Sequence, residues 1–244
     1  MPRFFVPSEN FSGGRVLITG DDAFHIARSL RMAVGDTLTV CDMHSREHSC
    51  RLTKIRDSEC ECEILSTTEG KTESPVYIKL YMAYPKGDKL ETVVQKAVEL
   101  GASEIIPFES SRCIKKPKPE KEEREHARLT RIAEEAAKQC GRSRLVKIGK
   151  PLTFADMLSD AQKSGVVLFC YEGDGTVSLK TVLSQHSTAK ELAVVVGSEG
   201  GFSRDEAGAA IASGATLVNL GPRILRCETA PSYVLAAISC FYEL

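Results

Sequence analysis

No stretch of this chain approaches the roughly 20 consecutive apolar residues that a membrane-spanning helix needs, so no membrane partner is expected. The opening Met1-Pro2-Arg3-Phe4-Phe5-Val6-Pro7 lacks the apolar core of a secretory signal, because charge and proline recur too soon. Nine cysteines are present, but they form no C-x-x-C pair and have no histidine at ligand spacing, which argues against a metal site. Most read as small buried hydrophobes in the reducing environment of a cytoplasmic protein. Neither G-x-G-x-x-G nor G-x-x-x-x-G-K-[ST] occurs, and Gly173-Asp174-Gly175 completes neither pattern, so a phosphate-cradling loop lacks support. No internal repeat or low-complexity tract appears.

What is there is ordinary in bulk and uneven in distribution. A length of 244 residues allows one large domain or two smaller ones, and 42% hydrophobic with 27% charged residues fits a soluble globular chain. The net charge of −1 does not point to nucleic acid. Between Arg112 and Lys150, however, 13 Lys and Arg stand against 6 Asp and Glu, a local +7. Such a stretch fits a phosphate-binding footprint or a charged, solvated helix face, and a count alone does not separate the two.

Residues 1 to about 70 read as β-rich. Arg15–Ile18, Asp36–Cys41 and Cys50–Ile55 are short runs between turn signals, and Glu59–Leu65 alternates as a strand with one wet face should. One helix interrupts them, capped by Asp22 and burying Ala23, Ile26, Ala27 and Leu30. His25, set among those residues, reads as structural rather than catalytic. Residues 66–75 carry no apolar side chain before the proline that ends them and read as a linker. After Pro75 strands and helices alternate. Strands are expected at Val76–Tyr84, Ile105–Phe108, Val166–Cys170, Leu192–Val196 and Leu217–Leu220. Helices are expected at Lys89–Leu100, Glu120–Cys140 and near 153–163, 178–185, 203–213 and 228–242. Continuous apolar strands in such an alternation imply an α/β domain with a mostly parallel sheet. Tyr81 and Tyr84 alternate with core residues and serve either packing or base stacking.

Two of those strands break into unusual loops, Gly197-Ser198-Glu199-Gly200-Gly201-Phe202-Ser203 and Gly221-Pro222-Arg223-Ile224-Leu225-Arg226-Cys227-Glu228-Thr229-Ala230. Open α/β sheets bind ligands at the carboxyl ends of their strands, and glycine allows close approach of the backbone. The alternative is a pair of tight turns without a ligand. Glu228 equally suits the first turn of the last helix, where an acid complements the dipole.

These two segments resemble the C-terminal signatures of the RsmE-type 16S ribosomal RNA uridine-N3 methyltransferases, members of the SPOUT class. The similarity extends through Lys89–Arg112, through Glu134–Arg142, and to Arg3-Phe4-Phe5-Val6 and His25–Met32 with Gly35-Asp36. Ser198 stands where proline is common in the family and Cys227 where threonine is, and neither change removes a charge or a glycine.

The resemblance implies a PUA-like RNA-binding β-barrel over residues 1–70. It implies a SPOUT domain over 76–244 whose C-terminal segment forms a trefoil knot, although knots are otherwise rare. It also implies a homodimer that methylates N3 of a specific uridine in the decoding region of 16S rRNA, on the small ribosomal subunit, with S-adenosylmethionine as cofactor. The cofactor site implied comprises Gly197, Glu199, Gly200 and Gly201 on one side and Leu220, Gly221, Ile224, Leu225, Arg226, Thr229 and Ala230 on the other. Phe169 and Tyr171 add a third wall. Arg226 and Arg223 are the catalytic candidates, as cations beside an N3-deprotonated base; Glu199, or Glu228, is the candidate to accept the proton or to hold an arginine. Arg3, Arg28, Arg31, Arg112, Arg142 and Arg144 are the RNA-phosphate candidates. The competing readings are a non-catalytic RNA-binding assembly factor of the same fold, a SPOUT enzyme acting on another RNA, and an α/β nucleotide enzyme, against which the missing phosphate loops count.

Overall fold

The computed structural model of the protein describes residues 1–116 and 119–244. Its contacts divide the chain into a first unit, Met1–Glu73 with Ala137–Leu145, and a second, Ser74–Ala136 with Val146–Leu244.

The first unit is a six-stranded sheet built from β1 (Arg3–Phe5), β2 (Phe11–Ser12), β3 (Arg15–Thr19), β4 (Thr37–Cys41), β5 (Arg46–Ile55) and β6 (Glu59–Glu69), in the order β1-β4-β5-β6-β3-β2. β1 and β4 run parallel and the other neighbours antiparallel. Alternation decides which face is buried: Cys60 and Cys62 pack among Val16, Ile18, Leu38, Val40 and Leu52, whereas Glu63 is exposed. Burial pushes the Cys62 thiol up to about 12, so it stays protonated and behaves as a hydrophobe.

The structure departs from the sequence pattern at two places in this unit. Residues 66–69, expected in the linker, are the end of β6, where Ser66, Thr67, Thr68 and Glu69 pair with Ser49, His48, Glu47 and Arg46. A ladder needs only backbone groups, so a polar run satisfies it as well as an apolar one. The helix expected through Leu30 is also different. Helix α1 covers only Gly20–Phe24, and a wider π turn follows over His25–Ser29. Ala23 and Ile26 remain buried, but the wider turn leaves Leu30 40% exposed and His25 exposed.

Residues 137–145 are fastened to this unit by a buried ion pair. Glu73 accepts from the Arg142 guanidinium at 2.6 Å, from the Ser143 N–H at 2.9 Å and from the Arg144 N–H at 3.1 Å. Burial alone would push the Glu73 carboxyl up. Arg142 and the two backbone donors outweigh it and hold the group below the ordinary carboxylate range.

The second unit contains an all-parallel sheet. Its strands are β7 (Tyr77–Ala83), β8 (Glu104–Glu109), β9 (Lys147–Ile148), β10 (Leu152–Thr153), β11 (Val167–Cys170), β12 (Val177–Ser178), β13 (Glu191–Val196) and β14 (Thr216–Asn219). The order is β10-β8-β7-β13-β11-β14-β12, with β9 also on β8. The parallel α/β sheet expected from the alternation is thus present; the two-residue strands β9, β10 and β12 were too short to carry a pattern. β13 is central, so Leu192 to Val196 are buried on both faces, which is why they read as an unbroken apolar run.

The helices are α2 (Lys89–Glu99), α3 (Glu122–Cys140), α4 (Phe154–Ala161), α5 (Leu179–Gln185), α6 (Arg204–Ala212) and α7 (Thr229–Tyr242). α2 buries Leu90, Val93, Val94, Ala97 and Val98, one stripe at helical spacing. α6 starts at a capping box: Ser203 accepts from the Glu206 N–H and Glu206 accepts from the Ser203 N–H. Tyr81 and Tyr84 are fully buried packing residues, and the Tyr81 hydroxyl donates to Asp160 at 2.7 Å. Among the described residues no helix is long and apolar enough to cross a membrane.

Candidate active site

Because β11, β13 and β14 are adjacent and parallel, their carboxyl ends open at one edge of the sheet, and the two glycine-bearing loops meet there. Phe202 anchors the first loop from beneath, 4.2 Å from the Phe169 ring and stacked 6.3 Å from Phe108. Together with the segment after β11, Lys89 of α2, Arg112 and Ala230 of α7, the loops enclose a cavity of about 810 Å³.

The glycines are required by close approach. A Cβ on Gly197 would stand 3.2 Å from the Gly201 backbone and from the Phe202 ring; one on Gly200 would stand 3.0 Å from the Arg112 Cβ. Gly201 closes the turn by donating its N–H to the Ser198 carbonyl at 2.9 Å, at a φ of 60° that favours glycine. Arg112 donates to the Gly200 carbonyl at 2.9 Å, and the neighbouring Ser111 N–H reaches the buried Glu206 at 2.7 Å. The loop that follows β8 therefore braces the loop that follows β13.

Lys89 links the two glycine-bearing loops. Its ammonium lies 3.1 Å from Glu199 and 3.2 Å from Glu228, and the Lys86 N–H donates to Glu199 at 3.1 Å. Hydrogen bonds to the two carboxylates push the Lys89 ammonium above its usual range. Burial would raise the Glu199 carboxyl, but its own backbone N–H, Lys89 and Lys86 outweigh it and hold it below the ordinary value. Glu199 is therefore a weak base. It holds a lysine, where an arginine was the expectation. Cys227 donates to Glu228 at 3.2 Å, and burial first, then that hydrogen bond, push its thiol up to about 12, so it offers no thiolate near neutral pH.

Most of the expected cofactor residues come together in the cavity: Tyr171, Gly197, Glu199, Gly200, Gly201, Leu220, Gly221, Ile224, Leu225, Arg226 and Ala230 all line it. Phe169 and Thr229 do not. Phe169 is fully buried beneath Phe202, because a residue inside a central strand points into the core, and Thr229 is the exposed first residue of α7. Arg223 and Arg226 line the cavity, are exposed and make no side-chain hydrogen bond or ion pair among the described residues, so their guanidiniums are available to a ligand. Ile224 forms a lip that is 81% exposed.

The RNA candidates separate. Arg142 is buried with its guanidinium on Glu73 and cannot reach a phosphate, which removes it from the set. Arg3 is mostly enclosed, donating to Glu47 at 3.1 Å and to the Arg142 carbonyl at 3.2 Å. Arg28 is exposed but paired with Asp57. Arg31 and Arg144 are exposed, and Arg31 sits at a positive φ of 50°. Arg112 lines the cavity. Sequence reasoning missed Lys89 and Arg204 as cavity residues. Both open helices, a position where a charged residue reads as solvated surface. Among the described residues no group of three or more His, Cys, Asp or Glu side chains is placed to hold a metal ion.

Comparison with known proteins agrees with this architecture. Residues 72–239 match the family model described as an RNA methyltransferase domain, and residues 18–65 match an RNA methyltransferase PUA domain. Ribosomal RNA small subunit methyltransferase E of Bacillus subtilis is 34% identical over 231 residues, 93% of this chain and 90% of that protein. The protein of that name from Synechocystis is 31% identical over 99% of this chain and 78% of its own length. The crystal structure of ribosomal RNA small subunit methyltransferase E from Neisseria gonorrhoeae, bound to S-adenosyl methionine, superposes with a TM-score of 0.87. It is 29% identical and covers 99% of this chain and 98% of its own. With two thirds of its length inside the methyltransferase model and 90% of the Bacillus subtilis relative covered at 34% identity, the chain belongs to the ribosomal RNA small subunit methyltransferase E family.

Proposed function

We propose that this chain is an S-adenosylmethionine-dependent RNA methyltransferase that modifies N3 of one uridine in the decoding region of 16S rRNA, on the small ribosomal subunit. The observation that carries this reading is the cavity itself. Its volume is of the size small-molecule sites occupy, its glycines bring backbone groups to the wall, and unpaired guanidiniums stand at its mouth. S-adenosylmethionine fits that lining, with Leu220, Ile224 and Leu225 as apolar cover and main-chain groups of Gly197–Gly201 as polar partners. When bound, it supplies an electrophilic methyl group.

The chain's own residues then act on the base. Uridine N3 is about as acidic as a phenol, with a pKa on the order of 10, and must lose its proton before it can accept a methyl group. Arg226, with Arg223 beside it, stabilises the N3 anion, which lets the proton leave to solvent at neutral pH. Glu199 holds its loop through Lys89 and Lys86 rather than taking the proton. The base must leave its stack to reach the cavity. Arg31 and Arg144 are the exposed cations we assign to RNA phosphate, with Arg28 once it leaves Asp57.

The same reading takes residues 1–70 as a PUA-like barrel and 76–244 as a SPOUT domain with a knotted C-terminal segment. Support for the knot comes from the strand order β13-β11-β14 and from α7, which returns after the second loop to pack on α2, α5 and β13. It also takes the working form as a cytoplasmic homodimer, in keeping with Tyr233 (44% exposed) and Phe241 (40% exposed) on α7.

Calorimetry with S-adenosylmethionine tests the site directly: saturable one-to-one binding is expected, and no heat of binding contradicts the reading. In Gly197→Ala, the added Cβ pushes on the Gly201 backbone at 3.2 Å, which does not yield as a side chain would. Overpacking of this kind costs on the order of 1–3 kcal/mol, so affinity is expected to fall about tenfold or more.

A further inference from the structure

We propose that Lys89 is a positioning residue for methyl transfer, its single ammonium bridging Glu199 and Glu228 and thereby fixing the two cavity loops against each other. The proposal rests on the methyltransferase reading above. The two loops leave different strands, β13 and β14. The first is also held by the Lys86 N–H and by Arg112, so it has independent anchors. The second has fewer. Among the described residues the side chains of Arg223 and Arg226 have no partners, and Ile224 is almost fully exposed.

What holds the end of the second loop is the start of α7, where the Arg226 carbonyl accepts from the Thr229 N–H at 2.8 Å and the Ala230 N–H at 2.9 Å. That helix start carries Glu228, and Glu228 is tied to Lys89. The chain of contacts therefore runs from Glu199 through Lys89 and Glu228 to the backbone of Arg226. Lys89 sets how far the Arg226 guanidinium stands from the Gly197–Gly201 wall. A small misplacement of a group that must meet a reacting atom costs far more rate than stability. The side chain of Lys89 is 35% exposed, so losing its ion pairs in itself disturbs the fold little.

Lys89→Met keeps the aliphatic stem and removes the charge; Lys89→Arg keeps a cation that can bridge two carboxylates. We expect Lys89→Met to raise the Kd for S-adenosylmethionine and to lower kcat on saturating RNA, each about tenfold or more. RNA affinity is expected to stay within about twofold and the melting temperature within about 2 °C. Lys89→Arg is expected to recover both losses to within about threefold. Glu228→Gln, impaired alone, should add less than about twofold in the Lys89→Met background, because both break the same link. Cofactor binding and turnover within about twofold of wild type in Lys89→Met overturn the proposal, as does additivity with Glu228→Gln or a failure of Lys89→Arg to rescue. Wild-type protein that binds no S-adenosylmethionine overturns the methyltransferase reading and this role with it. Wild type that binds, beside a Lys89→Met that binds equally well, overturns the clamp alone.

Discussion

Arg226→Ala is expected to lower turnover on saturating RNA by about 100- to 1,000-fold, the loss typical of removing one group that stabilises developing charge. The Arg226 side chain has no hydrogen-bond or ion-pair partner among the described residues, so truncation strands no buried group and leaves the fold intact. Cofactor affinity should change little, because the apolar cover and the glycine wall remain. The loss then falls in kcat. Arg226→Lys should recover only part of it, since an ammonium lacks the planar fork that can face both N3 and a neighbouring carbonyl oxygen of the base. Single-turnover rates at saturating S-adenosylmethionine check this, and a rate within about threefold of wild type removes Arg226 from the catalytic role.

Glu73→Ala is expected to produce the largest loss of stability. Removing one partner of a buried ion pair costs about 3–5 kcal/mol, because the remaining charge stays desolvated. Here the Arg142 side chain is 5% exposed and that of Glu73 15%, and the same carboxylate also serves the Ser143 and Arg144 backbone N–H groups. The thermal midpoint should fall by on the order of 10 °C, measured by circular dichroism. The pH dependence has a defined sign. Glu73 is held below its ordinary value of 4.5 in the folded chain, so its contribution is full above that value and is lost as the pH falls through the folded pKa. Glu73→Ala should therefore be less stable than wild type at neutral pH, and the gap should narrow in acid. A constant gap down to the acid transition would contradict the assignment.

How legible the molecule was in its sequence follows from where each signal originates. Central strands such as Leu192–Val196 are buried on both faces and announce themselves as apolar runs. The glycines at 197 and 200 mark close approach and the one at 201 a left-handed turn, and the structure has both there. Polar segments were harder. Residues 66–69 join β6 through backbone pairing alone, which leaves no side-chain pattern to read. Helix periodicity also misled between Asp22 and Leu30, since one π turn shifts Leu30 off the buried stripe. Charged residues were least legible. Arg142 and Arg144 look alike in the sequence, yet one is buried on Glu73 and the other exposed, because the partner lies 69 residues away from Arg142. Lys89 escaped notice for the same reason, its carboxylates being more than a hundred residues further along the chain.

Methyl transfer itself is the decisive measurement. Small ribosomal subunits from cells lacking this enzyme, naked 16S RNA and methyl-labelled S-adenosylmethionine are incubated with the protein, and the labelled nucleoside is then identified and mapped. Label is expected at N3 of a single uridine in the decoding region. Label on a ribose hydroxyl or on another base contradicts the target, and no label on either RNA, with the cofactor bound, contradicts the catalytic role.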